Sequence, residues 1–97
     1  MKHIHRPPTQ INFLTIASGS NSAVIDVLGP RRLPLTVVIG VLEGQAGVVF
    51  GTANISLSDV MPIESTAQFT VDPPTRYMIV DNVASAGGTC SLSWYVY

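Results

Sequence analysis

Charge is scarce in this chain. Asp, Glu, Lys and Arg make up 11% of its 97 residues, where an average soluble domain carries about 25%. No block of like charge follows the first residues, so the basic stripe that nucleic-acid binding requires is missing. Helical periodicity is missing too. No window of eleven or more residues repeats apolar side chains at i, i+3, i+4 and i+7, and helix is expected to reach no further than one turn near residues 56–61. A single thiol, Cys90, excludes an internal disulfide. No apolar run approaches the ~18 residues that cross a bilayer as a helix. The opening "MKHIHRPPTQ" has a basic start with no apolar stretch behind it, unlike a secretory signal. Synthesis in the cytoplasm of the producing cell is the expectation.

Reactive constellations are also scarce. The acids Asp26, Glu43, Asp59, Glu64, Asp72 and Asp81 are scattered singly, mostly at turns. Asp26 and Asp81 fall within apolar segments, where pairing with Arg31, Arg32 or Arg76 explains them better than a glycosidase pair does. His3 and His5 stand two residues apart and would point the same way on an extended chain, but a structural zinc site takes about four ligands. These are the chain's two histidines, so a Ser-His-Asp triad has no imidazole within the domain. Cys90 lies in phase with Leu92 and Trp94, the position of a buried, inert thiol. No glycine-rich phosphate loop opens a helix, and the Asn54-Ile55-Ser56 sequon is expected to be a chance match. The expectation is a protein that is not an enzyme, with no catalytic residue, no metal and no cofactor.

What the chain does have is apolar residues, 46% of the total, dealt out in short segments. "INFLTIA" (11–17), "AVIDVL" (23–28), "LPLTVVIGVL" (33–42), "VVFGTANI" (48–55), "TAQFTV" (66–71), "RYMIVDNV" (76–83) and "TCSLSWYVY" (89–97) are rich in the β-branched and aromatic residues that suit a pleated surface. Between most of them lie "SGSNS", "GPRR", "EGQAG", "DPPT" and "ASAGG", which supply positive φ or interrupt ladders. "SLSDVMPIES" is the longest irregular stretch. About seven strands at this spacing predict one all-β domain over residues 11–97, an antiparallel β-sandwich or jelly-roll-like barrel. Residues 1–10 are read as an extended N-terminal arm outside it, because Pro7-Pro8 favours ladder-free backbone.

The last segment alternates most strictly. Cys90, Leu92, Trp94 and Val96 share the face expected in the core, with Trp94 as its anchor, and Ser91, Ser93, Tyr95 and Tyr97 share the other. Segment 33–42 is different. Leu35, Val37, Ile39 and Val41 oppose Thr36, Val38, Gly40 and Leu42, so both faces are largely apolar. Val49 likewise opposes Val48 and Phe50, and Met78 and Val80 oppose Tyr77 and Ile79. A two-sheet core needs one apolar face per strand. The surplus predicts an outer patch larger than a soluble monomer tolerates, with Val38, Leu42, Val49, Met78, Val80, Tyr95 and Tyr97 as the expected subunit contacts. Burying even ~500 Å² of it at ~25 cal/mol per Å² contributes roughly 12 kcal/mol gross, which association entropy offsets only in part.

The stretches "GPRRLPLTVVIGV" and "PPTRYMIVDNVASAGGTCSLSW" resemble small virion proteins of tailed bacteriophages, the head decoration or cement proteins with β-sandwich domains. The second stretch looks like their closing hairpin, with a Pro-containing turn, an Arg-led strand, a small-residue turn and a final strand. The resemblance spans residues 20–97 and implies a structural protein of the virion, made in the host cytoplasm and placed at the capsid surface. It further implies a homo-oligomer, often a trimer, docked on the lattice of the major capsid protein, with neither nucleic acid nor membrane as partner. In that setting Lys2, His3, Ile4, His5 and Arg6 of the arm would reach onto the capsid. The alternative is a carbohydrate-binding or host-adhesion module of a phage fibre or tail, using Tyr95 and Tyr97 as stacking surfaces.

Overall fold

Strand pairing in this chain follows the logic of one long hairpin rolled up on itself. The computed structural model describes residues 11–30, 33–63, 65–83 and 87–97. Eight strands form among them: β1 (Asn12–Ile16), β2 (Ile25–Asp26), β3 (Leu35–Glu43), β4 (Ala46–Gly51), β5 (Met61–Ile63), β6 (Thr66–Val71), β7 (Tyr77–Asn82) and β8 (Cys90–Val96). The first pairs with the last, β2 with β7, β3 with β6 and β4 with β5, all antiparallel. Two further antiparallel pairings, β3 with β8 and β4 with β7, close the roll into two four-stranded sheets. Their orders are β1-β8-β3-β6 and β2-β7-β4-β5, the arrangement of a jelly roll. The expected all-β sandwich is therefore what the chain forms.

Local chemistry explains the boundaries. The expected segment 23–28 shortens to Ile25–Asp26 because Asp26 Oδ1 accepts the N–H groups of Leu28 and Gly29, both at 3.2 Å, which turns the chain out of the ladder. Arg76 completes the corner, its Nε donating to Asp26 Oδ1 at 2.8 Å and its Nη2 to the Gly29 carbonyl. This realises one of the pairings expected for Asp26. The β3–β4 turn holds Gly44 at φ +75°, where an added Cβ would stand 2.6 Å from the Thr89 carbonyl oxygen, so glycine is required there. β4 starts two residues earlier than the expected segment 48–55 and ends at Gly51. The stretch 56–65, expected to be irregular, contains the edge strand β5, whose Pro62 is tolerated because the strand is short and lies at a rim. A 3-10 turn at Leu57–Asp59 accounts for the single helical turn expected there, and a second forms at Pro73–Thr75.

The core lies between the sheets. Val37, Ile39, Cys90, Leu92 and Trp94 from one sheet meet Ala46, Val48, Met78 and Val80 from the other. Phe50 and Phe69 join the sheets with ring centroids 5.1 Å apart. Asn82 bridges the two layers, its Nδ2 donating to the Ile16 carbonyl at 3.1 Å and the Gly88 carbonyl at 2.8 Å. Trp94 is buried as expected, and its Nε1–H has no acceptor among the described residues.

Two expected contact residues are corrected by this packing. Met78 and Val80, taken for the outside, have no solvent exposure and belong to the core. Their strand carries apolar residues at both parities, and pairing with β4 in the register Val48↔Val80 and Phe50↔Met78 turns these two inward.

Candidate interaction face

The outward sides of the two sheets are built differently, and the difference defines the candidate site. On the second sheet, Val49 and Ile79 face outward from β4 and β7, paired in register, yet are only 5% and 7% exposed. The chain covers them itself. Gly47 and Gly51 flank Val49 on the same face. A Cβ at Gly47 would meet Val60 Cγ1 at 2.3 Å and Val83 Cγ1 at 3.0 Å, and one at Gly51 would meet Ile55 Cγ1 at 3.3 Å. The two glycines are the sockets in which segment 52–60 and Val83 seat. Val49, an expected subunit contact, is thus largely enclosed by its own chain.

The first sheet has no such cover among the described residues. Four cross-strand rows run over its outer side from β1 to β6. Tyr97, just past β8, lies beside Thr36 through a reciprocal pair of backbone hydrogen bonds of 3.0 Å, and Thr70 follows on β6. The next row is Tyr95, Val38 and Gln68, and the next is Phe13, Ser93, Gly40 and Thr66. Thr15, Ser91 and Glu43 close the face. Glu43 is the one charged residue among these positions. Phe13 and Tyr97 are 69% and 62% exposed, far more than side chains that cover a core. The Tyr95 and Tyr97 rings stack with centroids 6.2 Å apart, and Gln68 Nε2 donates to the Tyr97 hydroxyl at 2.9 Å. An added Cβ at Gly40 would meet only Ser93 Oγ, at 3.7 Å, so open space lies over the small side chains that continue the row of Phe13.

Of the expected contacts, the structure brings Val38, Tyr95 and Tyr97 together on this face. Leu42 is 63% exposed but leaves the regular alternation, because a bulge between Val41 and Glu43 makes it the extra residue. Phe13 and Gln68 were not anticipated. The signal for Phe13 was in the sequence: Leu14 and Ile16 alternate in phase with the core, which leaves Phe13 facing out. Gln68 becomes visible only through its position beside Val38, which depends on register. Lys2, His3, Ile4, His5 and Arg6 of the arm lie outside the described residues, as do Arg31, Arg32 and Glu64.

Elsewhere the described residues offer little reactive chemistry. Burial pushes the Cys90 thiol above its ordinary value, with the Asp81 charge adding to the effect, so it stays protonated. Arg76 holds the Asp26 carboxyl below its ordinary value, helped by the backbone N–H groups it accepts. A cleft of about 540 Å³ between the β3–β4 turn and β5 is lined by Gly44, Gln45, Ala46, Pro62, Ile63 and Val83, none of them titratable. No three His, Cys, Asp or Glu side chains meet among the described residues. The chain matches no protein-family model, no curated protein and no solved structure.

Proposed function

We propose that the protein is a non-catalytic structural subunit that assembles with copies of itself through the open face of its first sheet, as a decoration protein on a viral capsid. The observation that carries the self-assembly is the pairing of high exposure at Phe13 and Tyr97 with an almost uncharged surround. Exposed aromatic residues without a ring of charge mark a surface that is covered in use. The jelly roll serves capsid subunits and sugar binders alike, so the fold does not choose between them. The capsid setting rests on the resemblance of residues 20–97 to decoration proteins.

Light scattering after gel filtration tests the assembly. The native protein should run as a multiple of its 10.3 kDa chain mass. The double variant Phe13→Ser/Tyr97→Ser should run at a lower multiple of the chain mass with an unchanged urea midpoint, because both side chains lie outside the core. A native monomer at ~100 µM would sink the reading. Immunogold labelling of virus particles from a producing lysate tests the location, and particles that stay unlabelled would remove it. A second reading, binding of a neutral glycan, is favoured by the stacked Tyr95 and Tyr97 rings and the amide of Gln68 beside them. Retardation in gels holding a soluble neutral polysaccharide, lost in Tyr97→Ala, would support it over self-assembly.

A further inference from the structure

A sheet edge is a row of unpaired N–H and C=O groups, and chains that stay apart blunt it with short strands, proline or charge. The second sheet obeys this rule at both ends. β2 has two residues, one of them Asp26, and β5 has three with Pro62 in the middle. The first sheet does not. β6 ends it with six residues, "TAQFTV", free of charge, proline and glycine. The Val41 N–H donates to the Ser65 carbonyl at 2.7 Å. In an antiparallel ladder that phase turns the backbone groups of Ala67, Phe69 and Val71 toward β3, and those of Thr66, Gln68 and Thr70 toward the free edge. Among the described residues no strand pairs with β6 on that side.

We propose that two copies of the chain join antiparallel through β6, about a two-fold axis at Gln68, and fuse their first sheets into one eight-stranded sheet. The occupant is a second copy because the strand is complementary to itself. A two-fold contact requires each residue to find its mate in the same stretch. With Gln68 opposite Gln68, Thr66 faces Thr70 on either side, and every edge-facing N–H and C=O of the strand is used. On the outer side this makes two Thr–Thr pairs, which are favourable across strands. On the core side the small Ala67 faces the large Phe69 of the other copy. Sliding the register by one step either way sets Ala67 against Ala67 or Phe69 against Phe69, and leaves edge groups without a mate inside the strand. The other edge of this sheet lacks that property, since a two-fold pairing of β1 at Leu14 would set Asn12 against Ile16. A two-fold axis of this kind runs perpendicular to the sheet. Both open faces therefore lie on the same side and join into one wide, nearly uncharged surface. The pairing deepens the self-assembly reading and rests on it.

Two charge patterns at exposed positions test the register. Thr66→Lys/Thr70→Lys would set lysine against lysine twice, and Thr66→Lys/Thr70→Glu would set lysine against glutamate twice. The first should raise the dimer dissociation constant by about tenfold or more. The second should dimerise as the native chain does, and it serves as the control for folding. Gln68→Cys should form a disulfide dimer under mild oxidation, because hydrogen-bonded pairs hold their Cα atoms about 5.5 Å apart, within the span of a disulfide. Thr66→Cys should not, because its two copies would lie four residues, roughly 13 Å, apart along the strands. An oligomer unmoved by Thr66→Lys/Thr70→Lys but dissolved by Phe13→Ser/Tyr97→Ser overturns the edge pairing and leaves the face reading intact. Equal cross-linking of Gln68→Cys and Thr66→Cys overturns the register. A native monomer overturns both readings.

Discussion

The two sheets of this protein present outward faces that begin from the same kind of sequence and end differently. β3 and β4 are both central strands, and both carry valines and glycines on their outer sides. Over β4 the chain returns. Val60 and Val83 drop onto Gly47, Ile55 drops onto Gly51, and Val49 is closed in between them. Over β3 nothing returns among the described residues. Val38 stays half-exposed beside Tyr95, and Gly40 keeps open space above it. The edges repeat the contrast, short and blocked around the second sheet and, at β6, long and bare around the first. One half of the molecule is finished by its own loops. The other half is left open among the described residues.

A single core lies beneath both faces, and Trp94→Ala tests it with the largest expected effect. Truncating a buried aromatic costs about 3–5 kcal/mol, a large part of the ~5–15 kcal/mol that holds a domain. Circular dichroism in urea should show one transition moved to lower denaturant. A residual second transition would mean that the sheets are stable apart. Trp94→Phe should cost less, because the indole N–H leaves no acceptor behind among the described residues.

A charge placed on each outer face comes next. Val49→Asp should destabilise the fold by about 3 kcal/mol or more, since an unpaired carboxylate would be enclosed under the loops. Val38→Asp should leave the urea midpoint nearly unchanged and lower the oligomeric mass instead. Equal destabilisation by the two would erase the distinction between the faces.

The paired glycines sharpen it. Gly47→Ala should cost about 1–3 kcal/mol, because its methyl group cannot share the socket with Val60. Gly40→Ala should be neutral or stabilise by up to about 1 kcal/mol, because space is open and glycine is entropically costly in a strand.

Acid supplies the smallest effect and acts at the Asp26 corner of the second sheet. Asp26 is held below its ordinary value of 3.8 by Arg76. A depressed folded value means that the unfolded chain binds the proton more readily, so stability falls as pH drops. The contribution is complete above about pH 5 and is lost as pH falls through the lowered folded value. The difference in melting temperature between the native protein and Asp26→Asn should therefore vanish in acid. A difference that grows instead would contradict the sign.

How much could be read in advance depends on how strictly a segment alternates. β8 does so without exception, and the inward facing of Cys90, Leu92 and Trp94 followed from period alone. β7 reads Tyr-Met-Ile-Val-Asp-Asn, apolar at both parities, and its facing was set by the partner strand. β5 was illegible because three residues with a central proline carry no period. Phe13 was legible in principle, since its neighbours Leu14 and Ile16 declare the inner side. Gln68 was not, because its role comes from the strand beside it.

The sequence by itself determined the all-β class, the turns and the inner face of the regular strands, because backbone preference and side-chain period are local properties. It also showed apolar residues at both parities in several strands. Only the tertiary structure decided where they went. Met78 and Val80 were enclosed by contacts between segments far apart in the chain and Val49 by the following segment 52–60 together with Val83, while Val38, Tyr95, Tyr97 and Phe13 were left on one sheet face that is open among the described residues. Burial is set by what packs across from a residue, and that neighbour is chosen by strand order and register, which no local pattern specifies.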